Sequence, residues 1–259
     1  MIFLKTNEEI ELLKESTLLV CKTLAELAKV IKPGITTADL DKLAEEFIRD
    51  NGATPAFKGY NGFPASLCTS VNDQVVHGIP SDKVVLKDGD IVSVDCGTFK
   101  NGFVGDNAYT FAVGEISDEV QKLLDTTKES LFKGLEKAIE GNRIGDIGYA
   151  VQSYCEERGY SVVREMVGHG VGRKMHEAPE VPNYGRRGTG IMLKSGMTLC
   201  VEPMINLGKK ELVFERDGWT TRTRDGKPSA HFENTVAIQK GKPYILSDFS
   251  IIESVLNQH

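Results

Sequence analysis

Four acidic residues stand in apolar segments that have the pattern of buried strands. They are Asp95 at the end of IVSVD, Asp106 in GFVGDNAYTF, Glu202 after TLCV and Glu233 in AHFENTVAI. A buried carboxylate is costly unless it is paired or binds a metal ion. Any one of the four can instead cap a turn at a strand end or lie on an exposed face. Four such positions in one chain favour a shared site.

His169 adds a nitrogen donor to this set. It lies between two glycines in VGHGVGR, where the backbone can approach closely and little side chain shields the imidazole. An isolated histidine is more often a hydrogen-bonded structural residue, but the four carboxylates favour a ligand here. Their combined charge of about −4 balances two divalent cations, and carboxylates with one imidazole suit Mn²⁺, Fe²⁺, Co²⁺ or Zn²⁺.

Two such ions, bridged by carboxylates about 3.5–4 Å apart, lower the pKa of a shared water and supply hydroxide near neutral pH. The expected chemistry is hydrolysis at a carbonyl carbon or at phosphorus, and the residue spacing does not choose between them. The five cysteines are scattered and form no Cys-x-x-Cys pair. They are expected to be reduced thiols away from the ligands, which argues against a disulfide framework or a structural zinc site.

The elements that position these residues follow from hydrophobic periodicity and from glycine and proline. Helices are predicted over residues 6–31, 37–51, 117–140 and 144–157. Strands are predicted over residues 90–95, 103–113, 197–204, 211–216 and 230–239. Thr6 and Glu9 have the spacing of a capping box at the start of the first helix.

An internal repeat organises these elements. The segment LKDGDIVSVD (86–95) matches LKSGMTLCVE (193–202) without a gap, at an offset of 107 residues. Residues 34–95 and 141–202 are therefore predicted to be two copies of one helix–strand unit. The alignment pairs Asp95 with Glu202. We expect one α/β (α+β) domain over residues 1–259 with pseudo-two-fold symmetry.

Composition excludes several classes of protein. The chain has 259 residues, 40% of them hydrophobic, and a net charge of −6. This apolar content excludes a wholly disordered chain, and the acidic balance disfavours binding to nucleic acid. No apolar run reaches the roughly 20 residues that span a bilayer, and the N-terminus lacks the apolar stretch of a signal peptide. A cytoplasmic protein without a membrane partner is expected.

Five motifs together resemble the type I methionine aminopeptidases: DCG (95–97), GD (105–106), GHGVGRKMHE (168–177), VEPM (201–204) and HFENT (231–235). The resemblance covers nearly the whole chain. It implies the pita-bread fold, in which two pseudo-symmetric halves surround a curved antiparallel sheet and a dimetal site. The implied ligands are Asp95, Asp106, His169, Glu202 and Glu233, with Asp106 and Glu233 bridging the two ions.

The same resemblance implies the reaction, which is removal of the N-terminal methionine from nascent proteins and peptides with a small second residue. In this protein-maturation step, a bridging hydroxide would attack the first peptide carbonyl while one ion holds the free α-amine. His176 would stabilise the developing oxyanion. His77 would contact the scissile amide or the next residue, and Glu202 would carry the proton to the leaving amine. Structural packing is the alternative role for both histidines.

The resemblance also implies an apolar pocket for the methionine side chain, formed by Phe57, Tyr60, Phe63, Cys68, His77, Met175, His176 and Trp219. This chain departs from the usual family pattern at four positions. Phe57 replaces the common Cys and Met175 the common Phe, while His231 and Asn234 replace Gln and His. Alternate strand residues share a face, so His231 either joins the site of Glu233, as a neighbour of the ligands or as a ligand of an additional metal ion, or faces solvent.

Two other functions remain open on this fold. A proline-specific aminopeptidase or dipeptidase usually has a large additional N-terminal domain, which 259 residues are not expected to hold. A non-catalytic binding protein, associated with the ribosome or RNA, would be expected to have lost ligands. With no N-terminal zinc finger or Lys-rich extension, any ribosome contact would come from the surface of the catalytic domain. Nothing in the sequence demands an oligomer, so a monomer is expected.

Overall fold

The computed structural model describes residues 2–258, so the two end residues of the predicted 1–259 domain lie outside the described part. Its helices are α1 (Asn7–Ala28), α2 (Thr37–Asp50), α3 (Asp118–Leu135), α4 (Ile144–Glu156) and α5 (Ser250–Leu256). The first four were predicted, although α1 and α3 end earlier than expected, and α5 was missed. Thr6 and Glu9 form the predicted capping box, in which each side chain accepts the other residue's backbone N–H.

The strands of the first half are β1 (Thr54–Pro55), β2 (Leu67–Val71), β3 (Gln74–Val76), β4 (Ile91–Lys100) and β5 (Phe103–Ala112). Those of the second half are β6 (Ser161–Val162), β7 (Gly168–Gly170), β8 (Glu177–Val181), β9 (Thr198–Val201), β10 (Met204–Asn206), β11 (Leu212–Phe214), β12 (Thr221–Thr223), β13 (Ser229–His231), β14 (Asn234–Ala237) and β15 (Tyr244–Ile245). The strand pairs among residues 2–258 are antiparallel in both halves. The mixture of helices and antiparallel strands confirms the predicted fold class.

Two predicted strands are each divided in the structure. The segment 197–204 is interrupted at Glu202–Pro203, and the segment 230–239 is interrupted at Phe232–Glu233. Proline has no backbone N–H to donate to a sheet, which contributes to the first interruption. The partners remain the same on both sides of the break: β9 pairs with β14 in one sheet, and β10 pairs with β13 in another. Both glutamates therefore lie where the chain passes between two sheets.

Equivalent hydrogen bonds recur at the offset of the sequence repeat. The Gly34 N–H donates to the Leu86 carbonyl at 2.8 Å, and the Gly141 N–H donates to the Leu193 carbonyl at 3.1 Å. Helices α2 and α4 begin at equivalent positions directly after these contacts. The two units thus share local structure as well as sequence, which places their β4 and β9 strands in corresponding positions.

Helix α1 packs against the β4–β5 pair. The Ser16 hydroxyl hydrogen-bonds the Thr98 hydroxyl at 2.8 Å, joining the helix to β4. Gly105 on β5 allows the close approach, because a Cβ atom there would collide with the backbone of Ser16 and Thr17. The five cysteines are all buried and free. Among residues 2–258, no helix combines the length and apolar character needed to cross a membrane.

Candidate metal centre

A cavity of about 280 Å³ lies between the two halves of the repeat. Its wall includes every residue predicted for the site: the ligands Asp95, Asp106, His169, Glu202 and Glu233, with Phe57, Tyr60, Phe63, Cys68, His77, Met175, His176 and Trp219. Residues that were separated by as much as 176 positions in the chain, from Phe57 to Glu233, thus converge on one space. Six further residues line it: Asn61, Val76, Met166, Val167, Met204 and His231.

Strand pairing positions the two aspartates. In the β4–β5 ladder, Asp95 lies opposite Ala108, and Asp106 lies opposite Gly97. Asp95 and Gly97 are two residues apart on one strand and so point to the same face. Asp106 is therefore the diagonal neighbour of Asp95 on that face, which lets both carboxylates enter the cavity.

Backbone contacts bring Glu233 to these aspartates. The Glu233 N–H donates to the Ala108 carbonyl at 2.9 Å, which attaches the second half of the chain to β5. The Thr235 hydroxyl donates to the Asp106 carbonyl at 2.8 Å and strengthens that connection. Glu202 is held separately, because the Asn183 side-chain amide donates to its carbonyl oxygen at 2.9 Å. At the two strand interruptions, the side chains of Glu202 and Glu233 thus line the cavity.

His169 is placed by a close approach of three strands. A Cβ atom at Gly170 would lie 2.5 Å from the Ala178 carbonyl oxygen, and one at Gly168 would collide with the Cys200 carbonyl. Both neighbours of His169 must therefore be glycine. The His169 Nδ1–H donates to the Gly170 carbonyl at 2.9 Å, so that Nε2 carries the free lone pair toward the carboxylates.

The cavity contains buried polar atoms that lack partners among residues 2–258. They are Asp95 Oδ1, Asp106 Oδ1, Glu202 Oε1, Glu233 Oε1 and His231 Nε2. Native proteins rarely leave such atoms unsatisfied, and a cluster of them points to a missing ion. Divalent cations fit the donor set, because carboxylate oxygens and a neutral imidazole nitrogen are their usual ligands.

Electrostatics lead to the same conclusion. Burial, together with the neighbouring carboxylates, raises the pKa values of Asp106, Glu202 and Glu233 well above their usual range. Burial also raises the pKa of Asp95 to about 6 and lowers that of His169 to about 3. The imidazole is therefore neutral, and the carboxylates repel one another until positive charge enters the site.

The separations between donors are those of a shared ligand set. His169 Nε2 lies 3.5 Å from Glu202 Oε1 and 3.7 Å from Asp106 Oδ2. These distances are long for hydrogen bonds, but two atoms bound tetrahedrally at about 2.1 Å from one ion lie about 3.4 Å apart. Asp106, His169 and Glu233 form one group with donor atoms within 4.8 Å of one another, and Cys200 joins it.

The expectation that no cysteine lies near the ligands is therefore wrong. Cys200 ends up beneath Glu233 because β9 and β14 are adjacent strands. Its burial raises the pKa of the thiol well above the usual value, with the carboxylates adding to the effect. The thiol is thus protonated, and only a thiolate is an effective metal ligand.

The two histidines predicted to contact substrate both line the cavity. His77 has φ of +60°, a backbone conformation that a non-glycine residue adopts at a cost, and burial lowers its pKa to about 4. His176 is exposed at the mouth, where its Nδ1 lies 2.8 Å from the Tyr60 hydroxyl. Its ring centroid is 4.2 Å from that of His169. His176 can therefore contact a bound molecule that also contacts the carboxylates.

Aromatic side chains enclose the apolar part of the cavity. Phe63 packs edge-on against Trp219, with ring centroids 5.0 Å apart. Phe57 and Met175 rest against Gly97, where a Cβ atom would lie 2.6 Å from the Phe57 ring and 3.0 Å from the Met175 methyl carbon. The two departures from the family pattern thus fill the space next to Gly97, the β4 residue that lies opposite Asp106.

The profile of metallopeptidase family M24 matches residues 11–240 of this sequence. The chain belongs to this family. Its match takes in all five predicted ligands, from Asp95 to Glu233. Membership of this metallopeptidase family agrees with a donor set that suits divalent cations.

The chain is similar over most of its length to several methionine aminopeptidases. The chain is 55% identical to the methionine aminopeptidase of Clostridium acetobutylicum over 247 residues, which is 95% of this chain and 99% of the relative. It is 52% identical to methionine aminopeptidase 1 of Bacillus subtilis over 238 residues, covering 92% of this chain and 96% of the relative. The predicted family is therefore confirmed.

Solved structures show the same fold. The crystal structure of methionine aminopeptidase from Rickettsia prowazekii superposes with a TM-score of 0.94 at 42% identity, covering 96% of this chain and 100% of that one. The Xaa-Pro dipeptidase from Bacillus anthracis is 23% identical with a TM-score of 0.76, and 62% of its length is covered. It shares the fold alone. The pita-bread architecture predicted from the motifs is confirmed.

Proposed function

We propose that the cavity is the active site at which this M24 metallopeptidase removes N-terminal methionine. Metal-dependent removal of N-terminal methionine is the activity supported by its relatives and its family. The observation that carries the assignment to this cavity is a cluster of buried oxygens from Asp95, Asp106, Glu202 and Glu233 that have no partner within residues 2–258 and lie near the neutral imidazole of His169.

Two divalent cations, Co²⁺, Mn²⁺, Fe²⁺ or Zn²⁺, would be held by Asp95, Asp106, His169, Glu202 and Glu233. Asp106 and Glu233 are the bridging candidates because they come from segments that the Glu233–Ala108 and Thr235–Asp106 hydrogen bonds hold together. Asp95 lies on β4 and belongs to neither group of donor atoms within 4.8 Å of one another, so it would hold a cation from outside these groups. Bound cations of this kind polarise a carbonyl oxygen and lower the pKa of water.

His176 stabilises the negative charge that develops on the carbonyl oxygen. We assign the proton of the Tyr60–His176 contact to the tyrosine, whose hydroxyl donates to Nδ1. The ring proton of the neutral imidazole then sits on Nε2 and is available as a donor. Although His176 is exposed at the mouth, neighbouring protein groups partly desolvate its ring, which lowers its pKa and keeps it in this neutral form. A donor fixed in this way needs no reorganisation during the reaction.

Glu202 moves the proton. Its carboxylate is buried, and its pKa is raised by burial and by Asp95, which favours proton uptake. The carboxylate takes the proton from attacking water and delivers it to the leaving amine. His77, which lines the cavity in its strained conformation, contacts the scissile amide or the next residue.

Substrate selection follows from the shape of the wall. Phe57, Phe63, Met175 and Trp219 form an apolar pocket suited to an unbranched thioether side chain. Tyr60 and His176 narrow the mouth, so a small second residue is favoured over a bulky one. The free α-amine is required because the carboxylate-rich end of the cavity receives it together with the cations.

We further propose that residues 1–259 act as one catalytic domain and as a monomer in the cytoplasm. Its partners are then the N-termini of peptides and nascent chains. A contact with the ribosome would use the outer surface of the domain. Neither a membrane nor a specific nucleic acid is expected as a partner.

The function is tested by mass spectrometry of peptide products with Co²⁺, Mn²⁺, Fe²⁺ and Zn²⁺ supplied in turn. Met-Ala and Met-Gly peptides should lose methionine, whereas Xaa-Pro peptides and Nα-acetylated methionyl peptides should remain intact. Cleavage of Xaa-Pro peptides alone would favour the proline-specific enzymes that share this fold.

Two variants locate the reaction. Asp106→Ala and Glu233→Ala each remove a bridging candidate and should abolish turnover. Asp41→Asn changes a carboxylate outside the cavity and should leave turnover unchanged. Near-normal activity of either cavity variant, or hydrolysis that survives a chelator, would be inconsistent with the proposed site. Binding without any hydrolysis would support a non-catalytic protein.

A further inference from the structure

A second imidazole faces the carboxylates of the cavity. His231 ends β13, and its side chain is only 2% exposed. Its backbone is held by Thr110, whose hydroxyl accepts the His231 N–H at 3.0 Å and donates to the His231 carbonyl at 2.7 Å. The ring is therefore fixed in the cavity wall, which excludes the solvent-exposed alternative considered for this residue.

The Nε2 atom of His231 has no partner among residues 2–258. Glu202 Oε2 lies 3.7 Å away, while the other oxygen of the same carboxylate lies 3.5 Å from His169 Nε2. Glu202 thus stands between two imidazoles, one facing each oxygen. Neither separation is that of a good hydrogen bond, and both suit donors that share a cation.

These atoms form a ligand group distinct from the one at His169. Donor atoms of Glu202, His231 and Glu233 lie within 4.8 Å of one another, as do those of the Asp106, His169 and Glu233 group. Glu233 belongs to both groups. A buried nitrogen without a hydrogen bond, aimed at two carboxylates, is what a further metal ligand requires.

We infer that His231 is a sixth metal ligand of this centre and binds a cation through Nε2 together with Glu202 and Glu233. This inference rests on the proposed function of the cavity. With two imidazoles in place of one, the centre should prefer Zn²⁺ and Co²⁺ over Mn²⁺ more strongly than an otherwise identical site, because imidazole suits the former and oxygen donors suit the latter.

Proton NMR of the Co²⁺-loaded protein tests this directly, with no more than two equivalents of metal. A Co²⁺-bound imidazole that keeps its other N–H gives an exchangeable proton signal far outside the normal range. Both rings are buried enough for slow exchange. Wild type should show two such signals, and His231→Gln and His169→Gln should each lose a different one.

His77→Gln is the matched control, since His77 also lines the cavity but belongs to neither ligand group. It should keep both signals. Competition with a chelator adds a second measurement: His231→Gln should weaken Zn²⁺ and Co²⁺ binding by at least about 10–100-fold, the effect of losing even a supporting partner, and Mn²⁺ binding by less.

A single shifted signal in wild type, or two signals that both survive His231→Gln, would overturn the inference. Since the wild-type count and His169→Gln need no folded His231 variant, misfolding of that variant does not remove the test. Wild-type protein that binds no Co²⁺ would contradict the proposed metal centre as well. Co²⁺ binding and methionine release with one shifted signal would overturn the role of His231 alone.

Discussion

Replacing one buried carboxylate should stabilise the metal-free protein while weakening its response to metal. We choose Asp95→Asn because the pKa of this carboxyl rises from 3.8 to about 6 on folding through burial. The folded state then binds the proton more strongly than the unfolded state does. The metal-free protein therefore loses stability as pH rises from about 4 through 6, and the loss is complete above that range.

The size of this loss follows from the two pKa values. A rise from 3.8 to about 6 corresponds to at most about 3 kcal/mol in the free energy of unfolding. Asparagine stays neutral and avoids this cost, so metal-free Asp95→Asn should exceed wild type by up to that amount near pH 8. The difference should shrink as pH falls toward 5, where Asp95 itself becomes protonated.

Added metal should make wild type more stable than Asp95→Asn. At a cation concentration about 100 times its dissociation constant, wild type gains about 2.7 kcal/mol, whereas the variant has lost a ligand and gains less. Equilibrium urea unfolding near pH 8, with chelator and with Co²⁺, measures both quantities. Equal or lower stability of the metal-free variant, or an undiminished gain on adding Co²⁺, would refute the reasoning.

Asp41→Asn provides the matched control for this experiment. Burial raises the pKa of Asp41 too, but its Oδ1 accepts the Ser66 and Leu67 N–H groups, each at 2.8 Å, away from the cavity. Any change in stability should then be the same with chelator and with Co²⁺. If the change in stability depends on metal for Asp95→Asn but not for Asp41→Asn, the cost of burying the carboxylate arises in the cavity.

Three further outcomes are expected. His176→Ala should lower kcat by about 10²–10³ with metal content unchanged, which is the range for losing one oxyanion donor. Tyr60→Phe should lower kcat only about tenfold, as expected for one lost hydrogen bond. Loss of metal from either variant, measured by elemental analysis, would contradict these roles. Gly97→Ala should displace Phe57 and Met175 into the pocket. In steady-state assays it should raise KM for methionyl peptides more than it lowers kcat. An unchanged KM would show that these side chains move away from the pocket instead. The rise in Tm on adding Co²⁺ should be larger near pH 8 than near pH 5.5. Protons compete with Co²⁺ for the carboxylates, because burial raises the pKa values of these groups. Equal rises in Tm at the two pH values would argue against carboxylate ligands.

Local sequence rules predicted the elements that carry their own signal. The capping box at Thr6 and the hydrophobic period of α1 depend on residues three and four apart, so they are visible without any knowledge of the fold. The repeat that pairs Asp95 with Glu202 is likewise a property of the chain alone. The residue types of the donor set, and hence the kind of chemistry, were identified in this way.

Other features depended on which segments meet. The interruptions at Glu202 and Glu233 occur because their flanking strands pair in two different sheets, and a continuous apolar pattern contains no sign of that change. Cys200 is near the ligands because β9 lies beside β14, a contact between residues more than thirty positions apart. The positive φ of His77 is likewise not apparent from the local sequence, because only a few per cent of non-glycine residues adopt that conformation.

His231 separates the two kinds of information most clearly. Its sequence position, two residues before Glu233, allowed either a role in the site or exposure to solvent. The tertiary structure decided for burial, because Thr110 of β5 holds its backbone and the cavity closes around its ring. Sequence specifies which donor atoms the chain possesses, whereas only the packed sheets determine the distances between them, and metal binding depends on those distances.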